Sequence, residues 1–293
     1  MSAPAAEIDI DATMVRSLLR EQHPHLATLS IESFASGWDN AMFRLGDDLC
    51  VRLPRRAASV ALLETEQQWL PSLAQRLPLP IPTPLAMGLP SSIYPWRWSV
   101  LPWLAGEAAD KSKVNVNQGA VLATFLRALH VPAPGNAPRN PYRGVSLQSR
   151  QTAVEERLTR LEKTISADYE RIRKIWREAL AAPIDVSDTW LHGDLHAQNV
   201  LLRDGQISAI IDWGDLCQGD CATDLAAVWM WLPNGESRIA AIAAYPSATP
   251  ATWQRARGWA VFFGSILLDT GLQGNPRHAA MGAVTLRNLA ADP

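Results

Sequence analysis

The sequence predicts an α+β fold in which a small antiparallel sheet is followed by a larger, mainly helical region. Strand-like runs separated by turn residues occupy the first hundred positions, whereas helical spacing of apolar residues dominates after about Leu104. With 293 residues, 47% of them hydrophobic, the chain can form one large domain or two modest ones. We therefore expect two lobes, comprising residues 1–103 and 104–293.

In the N-terminal lobe, the first predicted element is a short helix capped by Asp11, because the apolar residues after it share one helical face. Three strand-like runs follow, and the turns GWDN and GDD between them predict an antiparallel meander. These runs are LSIESFAS, AMFRLG and LCVRLP. ASVALLETEQQWLPSLAQRL then has a helical pattern, LPLPIPTPLAMGLP is too rich in proline to be helical, and WRWSVL resembles a further strand.

The C-terminal lobe is predicted to be built from helices. GAVLATFLRALH is one, and a long helix near Arg150–Ala181 places a series of apolar residues on one face. That face contains Val154, Leu158, Leu161, Ile165, Ile172, Trp176 and Ala179. Further helices are expected around 225–232, 237–244, 252–268 and 278–290.

Composition excludes several classes of protein. A net charge of −2 and a pI near 6.3 provide no basic field, so we expect no nucleic-acid partner. The N-terminus lacks the pattern of a secretory signal, and GWAVFFGSILL is too short to span a bilayer, so we expect a cytoplasmic protein with no membrane partner. Its three cysteines form no paired framework and are expected to be buried, reduced thiols.

The stretch LHGDLHAQNVLLRDGQISAIIDWGD contains the strongest functional signal. Asp204 and Gly205 suit a two-residue type I′ turn, which predicts a β-hairpin with Asn199 opposite Ile210. Asp212 then lies about two residues farther along, roughly 7 Å at ~3.3 Å per residue. Asp194 precedes the hairpin at the same end, so the sequence brings three oxygen-bearing side chains together.

This oxygen-rich arrangement suits phosphoryl transfer. Mg²⁺ prefers oxygen ligands from one or two protein groups together with substrate phosphates, and Asn199 and Asp212 supply such oxygens. A carboxylate that orients the acceptor hydroxyl and takes its proton is also needed, and Asp194 is placed for that task. The D-x-x-x-x-N spacing followed by a metal-binding aspartate matches the known kinase template.

A zinc site is the competing interpretation, because His192 and His196 are four residues apart. A zinc-protease helix needs a glutamate directly after the first histidine, but that position is Gly193. The glycine and the hairpin that follows also argue against a helix here. The residue pattern therefore favours the kinase interpretation over zinc hydrolysis.

HGDLHAQN followed by IIDWGD resembles the aminoglycoside phosphotransferase family, which are small-molecule kinases with a bilobal protein-kinase-like fold. SGWDNAMFRLGDDLCVRLPRR, EQQWLPSLAQRLPLPIPTP and GDCATDLA are similar to segments of that family in matching order. The resemblance implies ATP or GTP as the phosphoryl donor, Mg²⁺ as cofactor, Asp194 as catalytic base, and Asn199 and Asp212 as Mg²⁺ ligands. It also implies that Asp224 braces the catalytic loop.

The resemblance assigns the nucleotide to the N-terminal lobe. The turn at 36–40 would cover the phosphates, the helix acid Glu66 would pair with Arg52 on the third strand, and the hinge from Leu101 to Trp103 would contact the purine. The residues concerned are Ser36, Gly37, Arg52, Glu66, Leu101 and Trp103. Two positions depart from the family pattern: Arg52 replaces the usual lysine, and the turn has Gly37 where protein kinases have three glycines.

The expected acceptor is a hydroxyl of a small molecule, with an aminoglycoside-type antibiotic as the leading class and Asp215 as a contact for an acceptor amine. The chain after Leu225 contains few acids and many arginines and aromatic residues, which leaves a macrolide or another natural product as an alternative. A nucleotide-binding module without catalysis is a further alternative, since Arg52 departs from the template.

Overall fold

A computed structural model describes residues 5–164 and 166–292 of the chain. The chain divides into two compact units. Among the described residues, the smaller unit contains 5–76 and 80–105, and the larger contains 77–79 and 106–292.

The smaller unit contains a five-stranded antiparallel sheet in the order β1-β2-β3-β5-β4. Its strands are β1 (Ile31–Ser36), β2 (Asn40–Leu45), β3 (Leu49–Pro54), β4 (Ala86–Gly88) and β5 (Trp98–Pro102), and its helices are α1 (Ala12–Gln22) and α2 (Val60–Ala74). The predicted meander of three strands is confirmed. The proline-rich segment contributes only the short edge strand β4, in keeping with its inability to form a helix.

The core of the smaller unit forms between α1 and the sheet. The Asp11 side chain accepts a hydrogen bond from the Met14 amide at 2.7 Å and begins α1 as predicted. Three buried residues of α1 join sheet residues in one apolar cluster that includes the fully buried Trp98. Gly88 makes room for that indole, because a Cβ at this position would lie 1.8 Å from a ring atom.

The larger unit combines helices with two small antiparallel sheets, β6-β8-β9 and β7-β10. Its strands are β6 (Glu107–Ala108), β7 (Thr189–Leu191), β8 (Val200–Arg203), β9 (Gln206–Ile210) and β10 (Cys217–Gly219). Its helices are α3 (Gln118–Leu129), α4 (Gln151–Leu161), α5 (Tyr169–Ala181), α6 (Ala222–Leu225), α7 (Ala227–Met230), α8 (Gly235–Ala243), α9 (Pro250–Gly271) and α10 (Pro276–Ala291).

The single long helix predicted over 150–181 is wrong, because the structure has two helices, α4 and α5. The Asp168 side chain accepts from the Arg171 amide at 2.9 Å and starts α5 anew, so local side-chain capping ends the continuous pattern. The apolar faces of both helices are nevertheless buried as predicted. Ile165, predicted for the same face, lies outside the described residues. The helix expected over 225–232 is likewise two short helices, α6 and α7.

The hairpin of β8 and β9 has the predicted turn but a different register. Asp204 and Gly205 have φ values of 53° and 75°, as a type I′ turn requires. A bulge between Leu201 and Leu202 then shifts the pairing, so Ile210 lies opposite Val200. The predicted pairing of Ile210 with Asn199 is therefore wrong by one residue.

The helix α9 forms the core of the larger unit, where it packs against α4, α5, α6, α7 and α10. Within the described part of the chain, no helix has the length and apolar character needed to cross a bilayer. All three cysteines are free and buried, as predicted. Burial raises the pKa of the Cys50 thiol to about 11 and that of Cys221 to about 12.

Candidate active site

The loop between β7 and β8 is fixed by Asp224, a buried residue of α6. The Asp224 carboxylate accepts hydrogen bonds from the backbone amides of His192 at 2.7 Å and Gly193 at 2.8 Å. His130 Nε2 lies 3.3 Å from the same carboxylate. Burial would raise the pKa of Asp224, but His130 and the Gly193 amide hold it below its usual value. The predicted bracing role is confirmed.

His192 organises the loop from within. Its Nε2 lies 3.0 Å from the Ile211 carbonyl oxygen, which can only accept, so Nε2 carries the proton. Its Nδ1 then accepts from the Asp194 amide at 3.2 Å. Gly193 between them has a φ of 86°, and a Cβ there would lie 2.6 Å from the Asp215 carbonyl oxygen.

The segment from His192 to His196 is not helical, so the histidines are not presented on one helix face as a zinc-protease site requires. In residues 5–164 and 166–292, no group of three or more His, Cys, Asp or Glu side chains is arranged to hold a metal ion. The imidazole of His192 instead makes hydrogen bonds with backbone groups.

The Asp194 carboxylate lies between two basic side chains. Its Oδ1 is 3.3 Å from Arg143 Nη2, and its Oδ2 is 3.4 Å from His196 Nε2. Burial alone would raise its pKa, but His196 and Arg143 outweigh that effect and hold the pKa of Asp194 below its usual value. With 25% of the side chain exposed, Asp194 is an ionised carboxylate that small molecules can reach.

Asn199 is linked directly to this residue. Its Nδ2 donates to the Asp194 carbonyl oxygen at 2.8 Å, which assigns the amide and leaves Oδ1 as the atom suited to a cation. Asp212 follows β9 in the left-handed region, with a φ of 62°, and is exposed. An amide oxygen and an exposed carboxylate form a donor set that fits Mg²⁺.

Asp215 lies beside Asp194 and shares a partner with it. Its Oδ1 accepts from Asn140 Nδ2 at 2.6 Å, and its Oδ2 is 3.4 Å from Arg143 Nη2. Burial raises the pKa of Asp215, and the neighbouring charges of Asp194 and Asp212 raise it further, against the effect of Arg143. The environments of Asp194 and Asp215 thus push their pKa values in opposite directions, a pattern typical of active sites.

Arg143 and Asn140 were not found from the sequence. They lie in the segment NPYRG between α3 and α4, 51 residues before Asp194 in the case of Arg143. The segment shows neither helical nor strand periodicity, and its spacing matches no motif. Its proline and its glycine indicate only a loop.

The residues predicted to bind nucleotide belong to the smaller unit. Arg52 of β3 and Glu66 of α2 form the predicted pair, with Nη1 and Oε2 2.6 Å apart and both side chains buried. With its amide oriented to satisfy both groups, Asn40 accepts from Nε and Nη2 of Arg52, each at 3.1 Å. The planar guanidinium is therefore held from two sides in a way that a lysine could not reproduce.

The other predicted nucleotide residues lie in the turn between β1 and β2 and at the end of β5. Gly37 donates from its amide to the Asn40 carbonyl oxygen at 2.9 Å, and the Ser36 side chain is outside the described part of the structure. Leu101 is buried in β5. Trp103 donates from its amide to the Asp48 carbonyl oxygen at 2.7 Å and packs edge-on against Phe34.

The model of the phosphotransferase enzyme family APH matches residues 30–259. The chain belongs to this family. The match includes the predicted base and metal ligands as well as the sheet of the smaller unit. No curated protein sequence matches the chain.

Solved structures of other APH-type enzymes share the fold. The GDP complex of wild-type aminoglycoside 2'-phosphotransferase-IIIa has a TM-score of 0.65 at 17% identity, with 96% of this chain and 99% of that chain covered. The macrolide 2'-phosphotransferase MphH from Brachybacterium faecium, as apoenzyme, has a TM-score of 0.62 at 20% identity, with 97% and 98% covered. The ternary complex of streptomycin, ATP and APH(2")-IIa has a TM-score of 0.60 at 18% identity, with 88% and 91% covered. The predicted family and the predicted α+β kinase-like fold are both confirmed.

Proposed function

We propose that this chain transfers the γ-phosphoryl group of ATP or GTP to a hydroxyl of a small molecule, with an aminoglycoside-type antibiotic as acceptor and the cytoplasm as its compartment. The observation that carries the proposal is that Asp194, within the family motif, has an ionised and accessible carboxylate. Asn199 donates to the backbone carbonyl oxygen of the same residue, Asp194. A structural aspartate would be expected to satisfy its oxygens with short backbone bonds, as Asp224 does.

Asp194 acts as the base in this reaction. The acceptor oxygen attacks the γ-phosphorus, a new P–O bond forms, and the bond to the bridging β–γ oxygen breaks to release the nucleoside diphosphate. The hydroxyl proton passes to the Asp194 carboxylate. The lowered pKa keeps that carboxylate ionised and able to orient the hydroxyl at neutral pH.

Asn199 and Asp212 would hold Mg²⁺ through oxygen atoms. When bound, the metal neutralises charge on the phosphates. The hydrogen bond from Asn199 Nδ2 to the Asp194 carbonyl oxygen fixes the orientation of the amide. Its Oδ1 is therefore available to a cation without rotation of the side chain.

The smaller unit supplies the proposed nucleotide contacts. The buried pair of Arg52 and Glu66 would position the phosphates, the turn at Ser36 and Gly37 would cover them, and the backbone from Leu101 to Trp103 would meet the base. Family structures solved with GDP and with ATP support a nucleotide donor.

Asp215 is the proposed contact for an acceptor amine, because it lies beside the base and part of its side chain is exposed, 33%. A macrolide is the second candidate acceptor. Its support is the chain after Leu225, which contains few acids and many arginines, and the fold shared with the macrolide 2'-phosphotransferase MphH. This charge balance suits a weakly charged molecule better than a polycation.

The test is a panel of aminoglycosides and macrolides incubated with ATP or GTP and Mg²⁺, with the phosphorylated acceptor detected by mass spectrometry. Asp194→Asn should lower kcat by roughly 10²–10⁴-fold, because general-base catalysis contributes that much, while the nucleotide Kd stays unchanged. Asp204→Asn is the matched control, since Asn-Gly also suits the type I′ turn and Asp204 lies at the far end of the same hairpin.

A wild-type chain that binds nucleotide in a Mg²⁺-dependent way but phosphorylates no acceptor would indicate the silent binding module instead. Equal losses of nucleotide binding and transfer in Asp194→Asn would contradict the role of Asp194 as base.

A further inference from the structure

The segment Ala137–Gly144 is fastened along β10 by hydrogen bonds at both ends. Gln218 donates from its amide to the Pro138 carbonyl oxygen at 2.8 Å and from Nε2 to the Ala137 carbonyl oxygen at 2.7 Å. At the other end, the Asp220 amide donates to the Gly144 carbonyl oxygen at 3.1 Å. A loop without regular structure is thereby held to a buried strand.

Gly144 fixes the backbone next to Arg143. It has a φ of 65°, and a Cβ there would lie 2.7 Å from Leu191 Cδ1 and 2.9 Å from Gly219 Cα. Its amide donates to Thr223 Oγ1 at 3.2 Å. Leu191 ends β7, the strand that leads directly into the catalytic loop. The backbone next to Arg143 is therefore held close to the start of that loop.

The Arg143 guanidinium connects two carboxylates through one nitrogen. Nη2 lies 3.3 Å from Asp194 Oδ1 and 3.4 Å from Asp215 Oδ2. The Phe263 ring supports the other face of the guanidinium at 5.1 Å, and only 17% of the side chain is exposed. Asn140, from the same segment, holds the second oxygen of Asp215 at 2.6 Å.

We propose that Arg143 is a positioning residue that holds the carboxylates of Asp194 and Asp215 in a fixed relation for transfer. Two neighbouring carboxylates repel each other, and a cation between them converts this repulsion into two attractions. Without Arg143, the Asp194 carboxylate would turn away from Asp215 and lose the orientation in which it meets the acceptor hydroxyl. The inference rests on the proposed function, because it assigns Asp194 as the base.

Arg143→Ala is expected to lower kcat by roughly 10²-fold, as misplacement of a reacting group by about 1 Å does, with the KM for nucleotide unchanged. Arg143→Lys should recover part of kcat, since the charge returns without the planar donor geometry. Arg139→Ala is the matched control: it makes the same change in the same segment, but its salt bridge is to the exposed Asp188. It should leave kcat and KM as in the wild type.

A double-mutant cycle with Asp215→Asn tests whether Arg143 acts through the carboxylates. The kcat losses of Arg143→Ala and Asp215→Asn should be non-additive, because each change removes the same link. Additive losses, or an Arg143→Ala kcat within about twofold of the wild type, would overturn the positioning role.

Crystal structures of the wild type and Arg143→Gln, without acceptor, provide a readout that does not depend on turnover. We expect the Asp194 carboxylate plane to rotate in the variant, and an unchanged plane would contradict the inference. Failure of the wild type to phosphorylate any acceptor would instead count against the proposed function, so the two failures are distinguishable. Should Arg143→Ala not fold, Arg143→Lys and Arg143→Gln replace it in the kinetic comparison.

Discussion

Two aspartates of the larger unit stand in opposite environments around one loop. Asp224 is buried and accepts from two backbone amides at 2.7 and 2.8 Å. Asp194 is partly exposed, and its contacts are side-chain groups at 3.3 and 3.4 Å. The pKa of each is lowered, but backbone donors contribute to the effect at Asp224, whereas side-chain groups alone cause it at Asp194. The difference separates the two roles: the Asp224 carboxylate maintains the loop, whereas the Asp194 carboxylate remains accessible.

The largest expected effect on stability comes from Asp224→Ala. The change leaves the amides of His192 and Gly193 without their acceptor and removes the carboxylate from His130, so we expect the free energy of unfolding to fall by about 3–5 kcal/mol, as for a broken buried pair. Chemical denaturation followed by circular dichroism measures this loss. A loss below about 1 kcal/mol would mean that the loop does not depend on Asp224.

The pH dependence of stability sharpens the comparison further. The folded-state pKa of Asp224 lies below its ordinary value of 3.8, so its contribution is complete above that value and is lost as pH falls through the folded pKa. We expect the free energy of unfolding to fall less steeply for Asp224→Asn than for the wild type between about pH 5 and pH 2. Parallel curves for the two proteins would contradict the assigned shift.

The smallest expected effect on stability belongs to Asp194→Asn, the variant with the largest expected effect on kcat. Its long contacts with Arg143 and His196 at a partly exposed site are worth only about 0–1 kcal/mol, so the free energy of unfolding should change by no more than that. The same denaturation experiment provides the measurement. A loss as large as that of Asp224→Ala would remove the distinction between the two carboxylates.

Local signals allowed much of this structure to be predicted. The Asp204-Gly205 pair requires positive φ values, which fixed the hairpin turn, and Asp11 was recognised as a helix cap from its position before an apolar pattern. The pairing of Arg52 with Glu66 followed from the family motif and is observed. Each of these features depends on neighbouring residues or on a recurrent spacing.

Two features that depend on distant contacts were missed, and so was one local helix cap. The bulge in the β8–β9 pairing occurs where β8 also pairs with β6, whose residues lie more than ninety positions earlier, and no turn rule contains that information. The break between α4 and α5 results from Asp168 competing for backbone donors within an otherwise continuous apolar pattern. The contact of Arg143 with Asp194 depends on packing of a loop without periodicity beside β10, which the sequence pattern does not indicate.

The position of α9 has a consequence for how the chain is made. During synthesis the sheet of the smaller unit is complete once β5 has left the ribosome, whereas α4 to α7 emerge long before the helix that covers them. The apolar face of α4 must stay uncovered while the next 110 residues, up to the end of α9, are translated. We expect the nascent larger unit to depend on chaperones during that interval, and the smaller unit to be folded already.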